Sequence, residues 1–393
     1  MLSAPSAAVV RATLPAVGAH LDEITERFYA GLFAAHPGLL RDLFNRGNQA
    51  AGTQRQALAG SIAAFATHLL DHPEQRPDAM LHRIAHKHAS LGVAPEQYAV
   101  VHEHLFAAIA GVLGEAVTPE VAAAWDEVYW LMANALVAIE KRLYEESGER
   151  GLRPWEVVER VEETADVATF RLRPADGGPV PAFRAGQYVS VRVELPDGAR
   201  QIRQYSLSGA PAETIRQISV KRVPGDGASP DGEVSHHLHA RVREGDVLEL
   251  SAPYGDLVLD DAPDAPVLLA SAGIGVTPMI AMLAQLAADG HRAPVTVVHG
   301  DRSPAAHALR AEHEACTAKL PDAALHLWYE QDAPAGTRTG FVDLTDIAVP
   351  AGTRAYLCGP LPFMRAVREQ LLAKGVAPAD LHYEVFGPDL WLA

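Results

Sequence analysis

The apolar residues of this chain change their period twice, and that constrains the architecture before any motif is considered. From about Ser6 to Glu146 they recur at helical spacing: Ile24, Phe28 and Leu32 share one face, as do Leu58, Ile62, Phe65 and Leu69. Pro37, Pro73, Pro77, Pro95 and Pro119 punctuate this stretch, as prolines do at helix boundaries. After a polar joint, Ser147 to Pro154, the period falls to two. Val167–Arg173, Tyr188–Val193 and Ile218–Val223 alternate as half-buried strands without helices between them, which predicts an antiparallel β-barrel. From Pro266 onward, Val267–Ala270, Val295–Val298, Leu325–Tyr329 and Ala355–Cys358 alternate with helical stretches, the rhythm of a parallel α/β sheet. The fold class is therefore multidomain, with an all-α domain over 1–147, a β-barrel over 151–262 and an α/β domain over 263–393.

Composition narrows the chemistry. The net charge of −16 argues against nucleic acid or an anionic membrane as partner. Cys316 and Cys358 are the sole cysteines. They exclude a disulfide framework, a cysteine-ligated iron–sulfur cluster and covalent haem attachment through C-x-x-C-H, and they suit a reducing, cytoplasmic compartment. Met1 to His20 reads as a poor signal peptide because no basic region precedes its apolar patches, and no uninterrupted apolar run is long enough to span a bilayer.

Three segments carry the strongest chemical signal. Arg203-Gln204-Tyr205-Ser206 lies in a predicted strand, so Arg203 and Tyr205 share one face and Gln204 and Ser206 the other. An arginine beside an aromatic suits a flavin, the guanidinium neutralising phosphate and the ring packing on the isoalloxazine. Gly186-Gln-Tyr188 lies upstream. Gly232-Glu-Val234-Ser235 opens a predicted helix whose first N–H groups suit a pyrophosphate. Ala272-Gly273-Ile-Gly275-Val-Thr277-Pro278 follows a strand and starts a helix, with Thr277 as expected N-cap and Pro278 in the first turn. Cys358-Gly359-Pro360 makes a second such turn in the same sheet. Among the histidines, His82 and His86 lack a nearby third ligand and read as surface helix residues, whereas His88 precedes the helix opened by Pro95-Glu-Gln-Tyr98.

The ordered motifs over residues 155–393 resemble the ferredoxin–NADP reductase superfamily. With Phe28-Tyr29, Leu43-Phe44-Asn45, Asn48-Gln49, Gln54-Arg55, Lys87-His88, Pro95 to Tyr98 and Ala133-Asn134 through Glu140, the whole chain resembles the flavohaemoglobins, a globin joined to that reductase. The resemblance implies haem b, FAD and NAD(P)H as cofactors, with His88 the iron ligand and Tyr98 and Glu140 hydrogen-bonded around it. It implies that Phe44 wedges the haem, that Tyr29 donates to bound oxygen, and that Gln54 and Leu58 line the distal wall. In the reductase it implies that Tyr188 and the Arg203–Ser206 run hold the flavin, that Cys358 lies near the nicotinamide, and that Glu384 and Phe386 lie by the flavin. Val385 departs from the Cys common in one subfamily.

The implied activity is oxidation of nitric oxide with oxygen to nitrate at the expense of NAD(P)H, in a cytoplasmic monomer acting on small molecules, with lipid in the haem pocket left open. A haem-linked reductase or peroxidase and an oxygen or redox sensor are the alternatives. Choice between NADH and NADPH stays open: Arg302 and Ser303 suit a 2′-phosphate, and Asp301 repels one.

Overall fold

A computed structural model describes residues 1–387, except 51, 212–213, 226–229, 261 and 263; Pro388 and the Leu390–Ala393 tail lie outside the described residues. Among the described residues the first domain has eight α-helices: α1 (Ala4–Ala19), α2 (Leu21–Ala35), α3 (Pro37–Asp42), α4 (Arg46–Ala50), α5 (Thr53–Asp71), α6 (Asp78–Leu91), α7 (Pro95–Leu113) and α8 (Pro119–Ser147). Proline opens α3, α7 and α8 at positions where no N–H is needed. α2 packs on α5 and α7, and α8 packs on α1 and α6. The core between them includes Ile24, Phe28, Leu32, Phe65, Leu81, Leu105, Trp125 and Leu136. Pro95–Ala116, with a mean hydropathy of 1.2, is long and apolar enough to cross a membrane. Here it is a bundle helix, burying Tyr98, Leu105, Ala108 and Ile109 against its neighbours.

β1 (Leu152–Glu162), β2 (Val167–Pro174), β3 (Tyr188–Glu194), β4 (Arg200–Ser206), β5 (Arg216–Lys221) and β6 (Val247–Ser251) make one antiparallel sheet, in the order β4-β3-β6-β1-β2-β5. A Leu207–Ile218 bridge joins its two edges and closes a barrel. The polar joint is shorter than expected, because β1 already runs from Leu152 through Pro154. At Pro154 the carbonyl accepts from the Ala175 N–H at 3.1 Å, and the missing N–H falls at the end of the pairing with β2, just before Trp155. β5 ends at Lys221 rather than Val223. The Val223 N–H donates to Ser235 Oγ and its carbonyl accepts from Gly232, which ties it to the start of α9 (Glu233–Arg241) instead of the ladder.

The third domain is a parallel sheet of β7 (Val267–Ala272), β8 (Val295–Asp301), β9 (Ala323–Tyr329), β10 (Arg338–Thr339), β11 (Arg354–Cys358) and β12 (Leu381–Glu384). Its order is β10-β9-β8-β7-β11-β12, and α10 (Val276–Ala288), α11 (Arg310–Ala318) and α12 (Leu361–Ala373) are its helices. The strand order reverses between β7 and β11, so the ligand crevice of such a sheet opens beyond their carboxyl ends. Barrel and sheet share one core, in which Phe170, Val191 and Leu250 run on to Leu269, Met279 and Met282.

Candidate functional site: two cofactor sites and the seam between them

α6 delivers His88 to the interior of the helical domain, stopping one turn later at Gly92 in the left-handed conformation (φ 74°). The His88 Nδ1 lies 2.8 Å from the Tyr98 hydroxyl and 2.9 Å from Glu140 Oε1, and Tyr98 also donates to that oxygen. Tyr129 fixes the Tyr98 backbone through a 2.6 Å hydrogen bond to its carbonyl. Burial first, and then the Glu140 charge, push the Tyr98 hydroxyl well above its ordinary range, so it stays a proton donor. Glu140 is 2% exposed. With Nδ1 taken by this buried carboxylate, Nε2 is the nitrogen left for iron, and the imidazole is made a stronger electron donor.

On the opposite wall α2 buries Tyr29, whose hydroxyl sits among Gln54 and Gln49, with burial pushing its pKa to about 12. The Gln49 Nε2 is buried without a hydrogen-bond partner, an unmet donor where a polar ligand would bind. Phe44, just past α3, meets the Tyr29 ring edge-on at 5.8 Å between centroids and the Phe33 ring at 5.3 Å. Leu58 packs half-buried on the same core. The residues on both walls thus fit a haem.

The flavin residues converge as well. Tyr188 begins β3, paired with Ser206 at the end of β4. Ser206 Oγ is buried with no partner, an orphaned group where the resemblance places a flavin. Arg203 feels the charge of Glu233, the first residue of α9, so the guanidinium and that helix N-terminus address the same region. Gly232 caps α9, and Val234 and Ser235 are buried in its first turn. Tyr205 is packed against the barrel core.

The two turns of the parallel sheet touch. A Cβ on Gly275 would stand 2.2 Å from the Cys358 carbonyl oxygen, and one on Gly359 would stand 3.1 Å from the Ala272 nitrogen. Gly273 has φ 53°, with open space before it. The expected N-cap at Thr277 is corrected. Gly273–Gly275 forms a 3₁₀ turn that runs directly into α10, so Gly275 is the cap and Thr277 donates back to the Ile274 carbonyl at 2.9 Å. Pro278 does fall in the first helical turn. Cys358 is fully buried, and burial, reinforced by Glu384, pushes its thiol up, away from the reactive thiolate. Pro360 caps α12. Phe386 is 47% exposed. A Gly275→Ala substitution sets its methyl against rigid backbone. The variant is expected to lose about 1–3 kcal/mol of stability and to slow flavin reduction by nicotinamide while haem content stays full, as rapid mixing and pyridine-haemochrome assay will check.

The seam between the helical domain and the barrel was not legible in the sequence. Lys87, next to His88, reaches Gln204 on β4, and Gln204 donates to Ser190 Oγ at 2.8 Å. Ser190 in turn donates to Ser90 Oγ at 3.0 Å. Arg203 donates to Asn45 at 2.8 Å, and buried Gln201 caps α3 through the Arg41 carbonyl at 2.9 Å. Arg46 bridges to Glu233 and Asp197, each at 2.7 Å. His86 is not a surface residue: its Nδ1 accepts from the Gly255 N–H at 3.0 Å, and burial lowers its pKa to about 4. Glu384 lies close enough to influence Lys87, Tyr188 and Cys358 together, which places it between the two domains' sites.

Comparison with known proteins agrees with this geometry. The globin family matches residues 26–136, the oxidoreductase FAD-binding domain 154–259 and the oxidoreductase NAD-binding domain 269–369. A Flavohemoprotein of Rhizobium meliloti is 42% identical over 100% of both chains, and one of Chromobacterium violaceum is 43% identical over 98% of both. The crystal structure of a flavohemoglobin from Malassezia yamatoensis with bound FAD and heme superposes with a TM-score of 0.92 at 38% identity, covering 98% of this chain and 100% of that one. The FAD/NAD-binding domain of a nitric oxide dioxygenase from Vibrio cholerae matches 61% of this chain and 100% of that one, at 40% identity and a TM-score of 0.57. With a globin, a flavin barrel and a nicotinamide domain in one chain, the protein belongs to the flavohemoprotein family and is an NAD(P)H-dependent oxidoreductase that uses haem and FAD.

Proposed function

We propose that the protein is a nitric oxide dioxygenase, converting two nitric oxide and two oxygen molecules to two nitrate ions for each NAD(P)H oxidised. The observation that carries this reading is the seam: Lys87 on the haem-ligand helix touches Gln204 in the flavin strand, so the two cofactor sites adjoin. When bound, FAD takes a hydride from nicotinamide and releases single electrons, and haem receives them and binds diatomic gases.

The side chains are assigned as follows. His88 holds the iron through Nε2, and Glu140 and Tyr98 orient its ring and raise its basicity. Tyr29 donates a hydrogen bond on the distal side, while Gln54 and Leu58 form the wall that limits water there. Phe44 wedges the porphyrin. Arg203 and the N-terminus of α9, with Gly232, Val234 and Ser235, neutralise the FAD diphosphate. Tyr188, Gln204, Tyr205 and Ser206 position the flavin ring, with Glu384 and Phe386 alongside. Gly273, Gly275, Thr277, Pro278, Cys358, Gly359 and Pro360 form the nicotinamide crevice. Cys316 and Cys358 form no disulfide, in keeping with a cytoplasmic location.

Loss of the Ser206 hydroxyl in Ser206→Ala is expected to weaken FAD about tenfold, seen by fluorescence titration, with haem unaffected. The activity is tested by measuring nitrate formed against NAD(P)H consumed with nitric oxide and oxygen both present. Two nitrate per nicotinamide is the expected ratio. Nicotinamide oxidation indifferent to nitric oxide favours a peroxidase, a reductase or a sensor instead.

A further inference from the structure

The nicotinamide-binding domain contains three histidines that the electron path does not use. His299 ends toward the tip of β8, His307 lies in the loop that follows, and His313 is on α11; they are 0%, 4% and 0% exposed. One ring nitrogen from each lies within 4.8 Å of the others. His307 Nε2 and His313 Nδ1 are 3.2 Å apart. A tetrahedral zinc ion, with Zn–N near 2.0–2.1 Å, sets its nitrogens about 3.4 Å apart, so this pair already has the spacing of one edge.

On two of the three rings the opposite nitrogen is anchored as in metal-bound imidazoles, whereas His313 Nε2 is buried without a partner. His299 Nδ1 pairs with Ser271 Oγ at 2.8 Å, and His307 Nδ1 pairs with the Tyr329 hydroxyl at 2.9 Å. That leaves Nε2 of these two rings, with Nδ1 of His313 beside His307 Nε2, as the candidate ligand atoms. His299 Nε2 is buried without a hydrogen-bond partner, and the Asp301 carboxylate stands 3.6 Å from it with its side chain 5% exposed.

We propose that His299, His307 and His313 bind a divalent cation of the zinc class, with Asp301 turning in as the fourth ligand. Fully enclosed, the ion acts as a structural clip that ties the 302–309 loop and α11 to β7 and β8; imidazole-rich sites of this kind favour zinc over calcium or magnesium.

The test uses the full-length protein with haem and FAD in place, stripped with a chelator and titrated with zinc alone. Iron is counted separately. The wild type is expected to retain about one zinc per chain and to melt at a higher temperature with zinc than without. His313→Leu, which keeps the packing volume, is expected to bind zinc at least about 100-fold more weakly and to show no such rise. Zinc K-edge absorption of the wild type should show three imidazole nitrogens near 2.0 Å. Zinc uptake equal in wild type and variant overturns the proposal. If His313→Leu does not fold, a wild-type shell without three imidazoles, or no bound zinc at all, overturns it by itself.

Discussion

Replacing His88 with alanine is expected to abolish haem binding and nitric oxide turnover while leaving reduction of FAD by NAD(P)H at the wild-type rate. The imidazole is the proposed iron ligand, and its Nδ1 partners, Tyr98 and Glu140, offer no nitrogen to replace it. The flavin residues lie on β3, β4 and α9, which keep their own core when the haem is lost. Arg203→Ala is the reciprocal case. It removes the guanidinium beside α9 and the 2.8 Å bond to Asn45, and is expected to weaken FAD with the haem spectrum intact. Spectra of the two purified variants check the pair. Equal loss of both cofactors in either variant contradicts the assignment of each cofactor to its own domain.

Tyr29→Phe is expected to bind haem normally and to lose turnover by about 10–100-fold, the cost of one buried hydrogen bond to a charged or polarised partner. The loss should not depend on pH. Burial raises the Tyr29 hydroxyl to about 12, so its neutral, donating form persists throughout the working range. A tyrosine with its pKa raised ionises only as pH climbs past that value. The wild-type to variant ratio should therefore be flat between about pH 6 and 9. A ratio that collapses across that span means that another titrating group sets the effect.

How far the sequence could be read depended on whether burial was decided locally. The i, i+4 stripes Ile24–Phe28–Leu32 and Leu58–Ile62 lie on helices α2 and α5, because each turn reports its own buried face. The two glycine turns were legible for the same reason: Gly275 and Gly359 mark close backbone approach within the motif itself. Thr277 misled, because a hydroxyl that suits an N-cap equally suits a bond back to Ile274.

The seam was illegible because distant chain segments create it. Lys87 and His86 are spaced like solvent-facing helix residues, and the barrel, through Gln204 and Gly255, covers them. Gln201 and Asn45 carry no motif, and their roles exist only once α3 and β4 meet. Gln49 was part of the family pattern, but its unpaired Nε2 emerges only from the packed distal wall. The three-histidine cluster joins a strand, a loop and a helix whose sequence spacing matches no familiar metal motif.

Electrons entering beside Cys358 are proposed to reach the helical domain across the Lys87–Gln204 contact. Rapid anaerobic mixing of the oxidised protein with excess NADH or NADPH, followed at the flavin and Soret wavelengths, tests it most directly. Bleaching of the flavin is expected first, and then conversion of the haem to its ferrous spectrum within the same protein molecule, at a rate independent of protein concentration. Flavin bleaching with the haem left ferric, or haem reduction that speeds up with protein concentration, would contradict it.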